Sequence, residues 1–255
     1  MTGWLDAARA AADLPPARPR APLRLVDRGG RLVEVGSIEP EIARRLAAKG
    51  QLLRAMPDGG WLVEGEADGS LAAIAEALRT LGLAARWRDE ALAVCDATGR
   101  VHGKVERAVV RVLGVATAAV HLTGTTSDGR TWVQQRADDK ATDPGLWDTL
   151  MGGQIGAGET VETALARETW EEAGLEIDAL HGLRRLAPVL LRRPVAEGYL
   201  VERLEVFEAM VPDGTVPQNQ DGEVQRFECL DRDALGARLA SGLFTLEATL
   251  ILARR

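Results

Sequence analysis

The 255-residue sequence has little cysteine, no long hydrophobic run and no excess of basic residues. Cys95 and Cys229 lie far apart and show no metal-type spacing, so a disulfide is not expected. The longest nearly apolar stretch, residues 112–120, is far shorter than the roughly 20 residues that cross a membrane. A formal charge of −7 argues against a nucleic-acid polymer as the main partner.

The first twenty residues also lack the continuous apolar segment of a signal peptide, so we predict a cytoplasmic protein that makes no membrane contact. The composition is 46% apolar and 27% charged, which is typical of a globular chain long enough for two domains. We predict a small α+β domain over residues 1–105 and a second domain over residues 106–255.

One predicted helix carries acids where an apolar stripe is expected. Counting about 100° per residue from Val161, four residues fall within about 60° of one line: Ala164, Leu165, Glu168 and Glu172. Two glutamates therefore interrupt the stripe. An acidic face turned to solvent is the plain alternative, but glutamates in place of core residues are not what a merely soluble helix shows.

Glu171 flanks the same edge, so three like charges lie three or four residues apart, and each such pair costs roughly 0.2–0.5 kcal/mol. Gly174 closes the helix, which leaves the acids near the negative end of its dipole. A cation has to compensate for them. Mg²⁺ or Mn²⁺ fits best, since these hard ions prefer carboxylate and carbonyl oxygen.

The window from Gly153 to Leu175 reads GQIGAGETVETALARETWEEAGL and resembles the Nudix box. The matching positions are Gly153, Glu159 and the run from Arg167 to Leu175. Thr169 departs from the pattern, because the family usually has an aliphatic residue there. Threonine is close to that size, so we expect local repacking without loss of the chemistry. The glycines before the helix would let the backbone approach a ligand closely.

The resemblance implies a divalent-metal site, Mg²⁺ or Mn²⁺, whose ligands would be Glu168, Glu171, Glu172 and a carbonyl of Gly152 or Gly153. Glu171 or Glu168 would help to activate water, and Arg167 would orient these acids. Many Nudix proteins place a further glutamate in a late loop or strand, and Glu223 is the candidate here. Glu159 suits the helix dipole whether or not it has a catalytic task.

Three further residues are candidates for substrate binding. Arg136 and Lys140 are expected to steer a diphosphate, although solvated loop charge is an equal alternative. Trp147 offers a ring for stacking on a flat substrate, as do Trp132 and Trp170, but core packing is the commoner role of tryptophan. Trp170, opposite the acids, is expected to pack on neighbouring structure.

The resemblance implies an α+β fold, an α/β/α sandwich with a mixed sheet, that hydrolyses a diphosphate in a small-molecule substrate. Further segments resemble the branch related to the Nudix domain fused to thiamine pyrophosphokinase: the amino-terminal region, WRDEALAV at 87–94, the ER at 106–107, the run at 133–153 and ETWEEAG at 168–174. That branch is known for converting thiamine diphosphate, or its damaged oxo and oxy forms, to the monophosphate. The substrate would then be of this type.

Alternatives stay open. Pro188 and Pro194 lie loosely where ADP-ribose hydrolases have a proline, so ADP-ribose or another nucleoside diphosphate is the second substrate class. A Nudix-fold sensor that binds without cleaving is the alternative from another class. An isopentenyl-diphosphate isomerase would need a cysteine upstream of the box, and residues 137–151 contain none. The amino-terminal region is compatible with a pocket cap, a homodimer contact or partner binding.

Overall fold

The computed structural model describes residues 3–50, 52–84, 86–140 and 142–254. Its first part is built on a four-stranded sheet with the order β2-β1-β4-β3, in which only β1 and β4 run parallel. The strands are β1 (Ala21–Val26), β2 (Leu32–Ile38), β3 (Leu53–Ala55) and β4 (Trp61–Val63). Two helices, α2 (Pro40–Ala48) and α3 (Ala67–Thr80), accompany this sheet, and a hairpin of β5 (Ala91–Cys95) and β6 (Val101–Glu106) follows.

Helix α3 illustrates how this part is held. Its buried side chains recur at helical spacing, as the sequence predicts, and are Leu71, Ile74, Ala75 and Leu78. Ser70 stands just before this apolar run and is of a residue type that commonly caps helices, but the helix begins earlier, at Ala67. The carboxylate of Glu66 accepts hydrogen bonds from the backbone N–H groups of Asp68 and Gly69, which are otherwise orphan donors of the first turn.

The second part contains an eight-stranded mixed sheet. Its strands are β7 (Ala116–Thr125), β8 (Thr131–Arg136), β9 (Trp147–Asp148), β10 (Met151–Gln154), β11 (His181–Arg185), β12 (Val189–Val195), β13 (Gly198–Met210) and β14 (Val224–Leu230). The main order is β11-β13-β7-β8-β14, with β10 on β7, β12 on β13 and β9 on β8. The long central pair β7 and β13 is parallel, and the other pairs are antiparallel. The predicted α+β fold with a mixed sheet is confirmed.

Side chains alternate between the two faces of the central strands, so each strand contributes to two hydrophobic cores. Val120 and Leu122 of β7 belong to one cluster with helix α4 (Val161–Ala173), whereas Ala119 belongs to another cluster with α6 (Leu246–Leu252) and the end of α1 (Gly3–Ala12). Helix α5 (Arg232–Ala240) packs beside β14 in a further cluster. Helices therefore cover both faces of the sheet, which leaves its strand ends and the loop before α4 to form a pocket.

Several local expectations differ from the structure. The sequence of residues 106–114 predicts a short helix, but the structure has only a 3-10 turn, Arg107–Val109, because the valines and leucine after it anchor the chain in the first core. The apolar residues at 186–191 predict one strand, whereas the structure has β11 and β12 on either side of residues 186–188. Cysteine is commonly a buried small residue, but Cys95 and Cys229 are free thiols that are only partly buried.

The predicted division after residue 105 stays a prediction, as do the cytoplasmic location and the homodimer. Helix α1 packs against α6 and β12, so the beginning of the chain reaches the second sheet. Asp13 forms an ion pair there with Arg192 at 2.9 Å. Within the described ranges, no helix is long and apolar enough to span a membrane.

Candidate active site

Helix α4 has well-defined ends. At its start, the Thr160 hydroxyl accepts a hydrogen bond from the backbone N–H of Thr163, and the Thr163 hydroxyl accepts one from the N–H of Thr160. At its end, Gly174 takes the left-handed conformation (φ 62°), and a Cβ there would lie 2.6 Å from the carbonyl oxygen of Gln218. These two caps fix which turn of the helix faces the pocket.

The two glycines of β10 let the strand lie directly against the acids. A Cβ at Gly153 would lie 1.9 Å from the carboxyl carbon of Glu168, and one at Gly152 would lie 2.5 Å from Cε1 of His121. Neither distance is physically tolerable, so any side chain at position 153 would displace Glu168. Close approach of the backbone to the carboxylate is therefore the reason for glycine at this position.

Arg167 connects three of the acids. Its guanidinium forms a two-point ion pair with Glu159, with distances of 2.8 and 2.9 Å. The same group donates to Glu168 at 2.8 Å and to Glu171 at 2.9 Å. These contacts raise the pKa of Arg167 above its usual value, the hydrogen bond to Glu159 most of all. Arg167 thus holds two carboxylates of the pocket in fixed positions.

Glu172 lies deepest, with only 1% of its surface exposed. Its carboxylate accepts hydrogen bonds from Nε2 of Gln134 at 2.8 Å and from the N–H of Gly152 at 2.9 Å, and Lys140 Nζ lies 3.2 Å away. Burial raises the pKa of Glu172 despite the nearby lysine charge. Burial of this kind disfavours the charged carboxylate, and a cation bound beside it would offset that cost.

Glu168 is a second acid of the pocket whose pKa is raised. Burial raises its pKa to about 7, and the neighbouring charges of Glu172 and Glu171 add to the effect, while Arg167 opposes it. The Glu171 side chain is more exposed and turns towards the pocket opening. Together the three glutamates give the pocket one strongly acidic wall.

This donor set suits a hard divalent cation. The wall combines carboxylates with the backbone at Gly152 and Gly153, and Oε1 of Gln134, buried nearby, has no hydrogen-bond partner in the described chain. As the side chains stand, no three or more acids, histidines or cysteines of the described ranges are arranged as a metal cage. Arg167 and Lys140 occupy carboxylate oxygens instead, so a metal ion would have to replace some of these contacts.

Lys140 and Arg136 line the pocket, and both are already paired with carboxylates. Lys140 forms ion pairs with both Glu172 and Glu223. Burial raises the pKa of Glu223, but the hydrogen bond and charge of Lys140 outweigh it and leave that pKa below its ordinary value. Arg136 donates to the carbonyl oxygen of Thr142 at 2.9 Å and lies 3.4 Å from Asp148. The two cations therefore organise the pocket and are not held free for a phosphate.

The structure does not bring Trp147 to the pocket. The ring is buried, with 4% exposed, and the guanidinium carbons of Arg238 and Arg226 lie 4.5 and 5.3 Å from its centre. Because side chains alternate along a strand, it is the next residue, Asp148, that faces the pocket. The expectation for Trp170 is also wrong, since 47% of it is exposed.

The pocket has a volume of about 310 Å³ and includes residues that the sequence did not single out. Its second acidic wall consists of Asp143, Asp148, Glu202 and Glu247. Burial and the charge of Glu202 raise the pKa of Glu247 to about 7. The buried His121 bonds to the Thr149 hydroxyl at 3.0 Å. No local pattern in the sequence indicates that these residues share one pocket.

Nine of the ten predicted site residues line this one pocket: Arg136, Lys140, Gly152, Gly153, Arg167, Glu168, Glu171, Glu172 and Glu223. They come from β8, β10, α4 and two loops, so the sheet and helix bring together residues that are far apart in the chain. Their roles in catalysis stay predictions. The arrangement can bind a cation between carboxylates and accept protons at buried acids.

Comparison with known proteins gives a consistent result. A family model described as NUDIX domain matches residues 113–248. A Nudix hydrolase of Rhodococcus erythropolis is 40% identical over 88 residues, 34% of this chain and 48% of that protein. An isopentenyl-diphosphate Delta-isomerase of Leifsonia xyli is 47% identical over 115 residues, 45% of this chain and 61% of that protein.

Among solved structures, a crystal structure of a Deinococcus radiodurans protein is similar, with a TM-score of 0.53 and 26% identity, covering 65% of this chain and 98% of that chain. The chain spans about half the length, or less, of the first curated relatives that it matches.

Proposed function

The chain belongs to the NUDIX domain family, and we propose that it hydrolyses the diphosphate linkage of a small-molecule substrate with a divalent metal ion. The observation that carries this proposal is the burial of Glu168 and Glu172 together on one wall, with their pKa values raised and the Gly153 backbone pressed against Glu168. A wall of repelling acids destabilises the fold, which suits a site that gains stability when it binds cations.

Members of the family typically need divalent metals. Here Glu168, Glu171 and Glu172, with a carbonyl of Gly152 or Gly153, would hold Mg²⁺ or Mn²⁺. The metal would neutralise the diphosphate and make water a better nucleophile near neutral pH. Arg167 keeps Glu168 and Glu171 in position, and one of these two acids takes the proton from the attacking water.

The chain's other charges have supporting roles in this proposal. Lys140 holds Glu172 and Glu223 at the far end of the wall, and Glu223 is the additional glutamate expected from the family pattern. Gln134 and the Gly152 N–H keep Glu172 oriented. Arg136 is anchored by Thr142 and Asp148, so it borders the pocket at a fixed distance.

For the substrate we propose thiamine diphosphate or one of its damaged forms, cleaved to the monophosphate. The second acidic wall supports this choice, because Asp148, Glu202 and Glu247 line the same pocket as the metal-binding acids. A thiazolium ring carries a positive charge, and such a ring gains electrostatic energy beside partly buried carboxylates. A neutral ring would gain less there, and an anionic group would be repelled by these carboxylates.

The isomerase activity that the Leifsonia relative's name states is not proposed here. Residues 137–151 contain no cysteine, and the described residues that line the pocket include none either. ADP-ribose and other nucleoside diphosphate derivatives form the second substrate class. A sensor that binds a diphosphate without cleaving it is the alternative outside enzymes.

The test is product analysis with Mg²⁺ or Mn²⁺ across thiamine diphosphate, oxythiamine diphosphate, ADP-ribose, NADH and nucleoside triphosphates. We expect monophosphate and inorganic phosphate from a thiamine-type diphosphate, and no product with EDTA or from Glu172→Gln. Preference for ADP-ribose would keep the chemistry and reject the thiamine class. Metal-dependent binding without any product would favour the sensor.

A further inference from the structure

A second, basic pocket opens beside the acidic one. It has a volume of about 250 Å³ and is lined by four arginines: Arg86, Arg88, Arg107 and Arg111. Arg107 and Arg111 line both pockets, and so do Thr142 and Gln154. The two pockets therefore adjoin, and the basic one is formed largely by the chain segment that leads into the Nudix domain.

The cations of the two pockets differ in how they are neutralised. Arg136, Lys140 and Arg167 of the acidic pocket are all paired with carboxylates. Of the basic pocket's arginines, only Arg107 has an acidic partner, Glu90 at 2.7 Å. In the described ranges, no ion pair or hydrogen bond engages the guanidinium groups of Arg86, Arg88 or Arg111. Glu197 is the one acid among the described lining residues.

The segment that carries these arginines is held in place. The Trp87 ring packs against the first core and under Arg79, and its N–H donates to Asp89. Asp89 has a φ of 56°, a left-handed conformation that is uncommon for a residue with a side chain. The N–H of Arg88 donates to Glu106 at 3.0 Å. Backbone strain that the surroundings hold in place is often found at functional sites.

We propose that this basic pocket binds the terminal phosphate of the substrate, and that the preferred substrates are diphosphates with a free terminal phosphate. This inference rests on the proposed function. It gives the substrate a direction: terminal phosphate at the arginines, scissile linkage at Glu168, Glu171 and Glu172, and the organic group along the second acidic wall. It also gives the amino-terminal region a task, which is recognition of the phosphate.

Charge explains the preference. A terminal phosphate carries close to two negative charges at neutral pH because its second pKa is about 6. A phosphate esterified on both sides, as in ADP-ribose, carries one. Guanidinium groups form charge-assisted, often paired hydrogen bonds with phosphate oxygens, so unpaired arginines gain most from the dianion. A disubstituted diphosphate would also have to place an organic group among these charges.

The first experiment measures anion binding without turnover. Inorganic phosphate and dimethyl phosphate are titrated calorimetrically into the protein in EDTA, for wild type, for R86Q/R88Q and for R45Q/R232Q. Both double variants remove two exposed arginines, so the net charge changes equally. We expect wild type and R45Q/R232Q to bind phosphate better than dimethyl phosphate, and R86Q/R88Q to bind phosphate about tenfold more weakly. Equal phosphate affinity in the two double variants would overturn the proposal.

The second experiment is steady-state kinetics with the metal added. R86Q/R88Q should raise KM about tenfold for a substrate with a free terminal phosphate and lower kcat/KM for ADP-ribose by a smaller factor. An equal loss on both substrates would overturn the proposal. Arg111→Gln provides an independent variant, and thermal melting identifies any variant that does not fold. Phosphate binding at the arginines without cleavage of any diphosphate would refute the proposed function alone, whereas cleavage without such binding would refute only this inference.

Discussion

Carboxylates behave in opposite ways in the two parts of the molecule. In the turns of the first part, Asp27 accepts hydrogen bonds from the N–H groups of Gly29 and Arg31 and pairs with the Arg31 guanidinium. The hydrogen bonds from Arg31 lower the pKa of Asp27 to about 2. In the pocket, burial and neighbouring acids raise the pKa values of Glu168, Glu172 and Glu247.

The difference separates stability from function. A turn carboxylate satisfies backbone donors and favours the folded state. Glu168, Glu172 and Glu247 are more costly in the folded state than in water, so folding alone does not account for their presence in one pocket. Substitution of a proposed metal ligand should accordingly change activity, whereas substitution of a turn carboxylate should change stability.

Glu172→Gln should have the largest effect on activity. Loss of partners outside a metal's immediate ligands costs roughly 10–100-fold, so loss of a proposed ligand should reduce turnover by at least about a hundredfold. The fold should remain, because glutamine keeps an oxygen that can accept the hydrogen bond from Gln134 or from Gly152. Steady-state rates with Mg²⁺ and a thermal melt of the same preparation measure both quantities.

The matched control for this change is Glu162→Gln. Glu162 lies on the same helix but is exposed and does not line the pocket. Its turnover should equal that of wild type. Near wild-type turnover in both Glu172→Gln and Glu171→Gln would mean that the metal site has been assigned to the wrong residues.

Arg167→Lys should have the next largest effect. Lysine keeps the charge but not the planar fork that reaches Glu159, Glu168 and Glu171 at once. We expect kcat to fall about tenfold or more and the metal concentration needed for half-maximal activity to rise. If the lysine variant matched wild type in both, Arg167 would supply only charge and would not position the acids.

The sequence predicts the part of the site that lies on one helix better than the part that is assembled from distant segments of the chain. Glu168, Glu171 and Glu172 share one helix, so their spacing alone predicts that they are neighbours. The pairing of Lys140 with Glu172 and Glu223 joins three segments through the sheet, and no local pattern indicates it. For the same reason the sequence leaves both substrate stacking and core packing open for Trp147, because which face of a two-residue strand points inward depends on what packs there.

Glu247→Gln should have a moderate effect that depends on pH. The pKa of Glu247 in the folded protein, about 7, lies above the value near 4.3 of an unfolded chain. The wild type should therefore lose stability as pH rises between about 4.3 and 7, and the variant, which keeps Glu168 and Glu172, should lose less. Above pH 7 we expect the variant to melt about 2–4 °C higher than wild type, which corresponds to a gain of roughly 1 kcal/mol in the free energy of unfolding. An advantage that stayed constant from pH 5 to pH 8 would contradict this pKa.

Asp27→Asn should leave activity unchanged and should alter only the stability of the fold. Arg31 and the turn amides depress the pKa of Asp27 to about 2, below the unfolded value of about 3.9. The stabilisation is therefore complete above about pH 4 and disappears as pH falls towards 2, so the melting temperatures of variant and wild type should converge in acid. Asn conserves the shape of the side chain but cannot form the ion pair with Arg31. A loss of turnover in this variant at pH 7 would mean that the turn and the pocket are coupled, and the separation between stabilising and functional carboxylates would not hold.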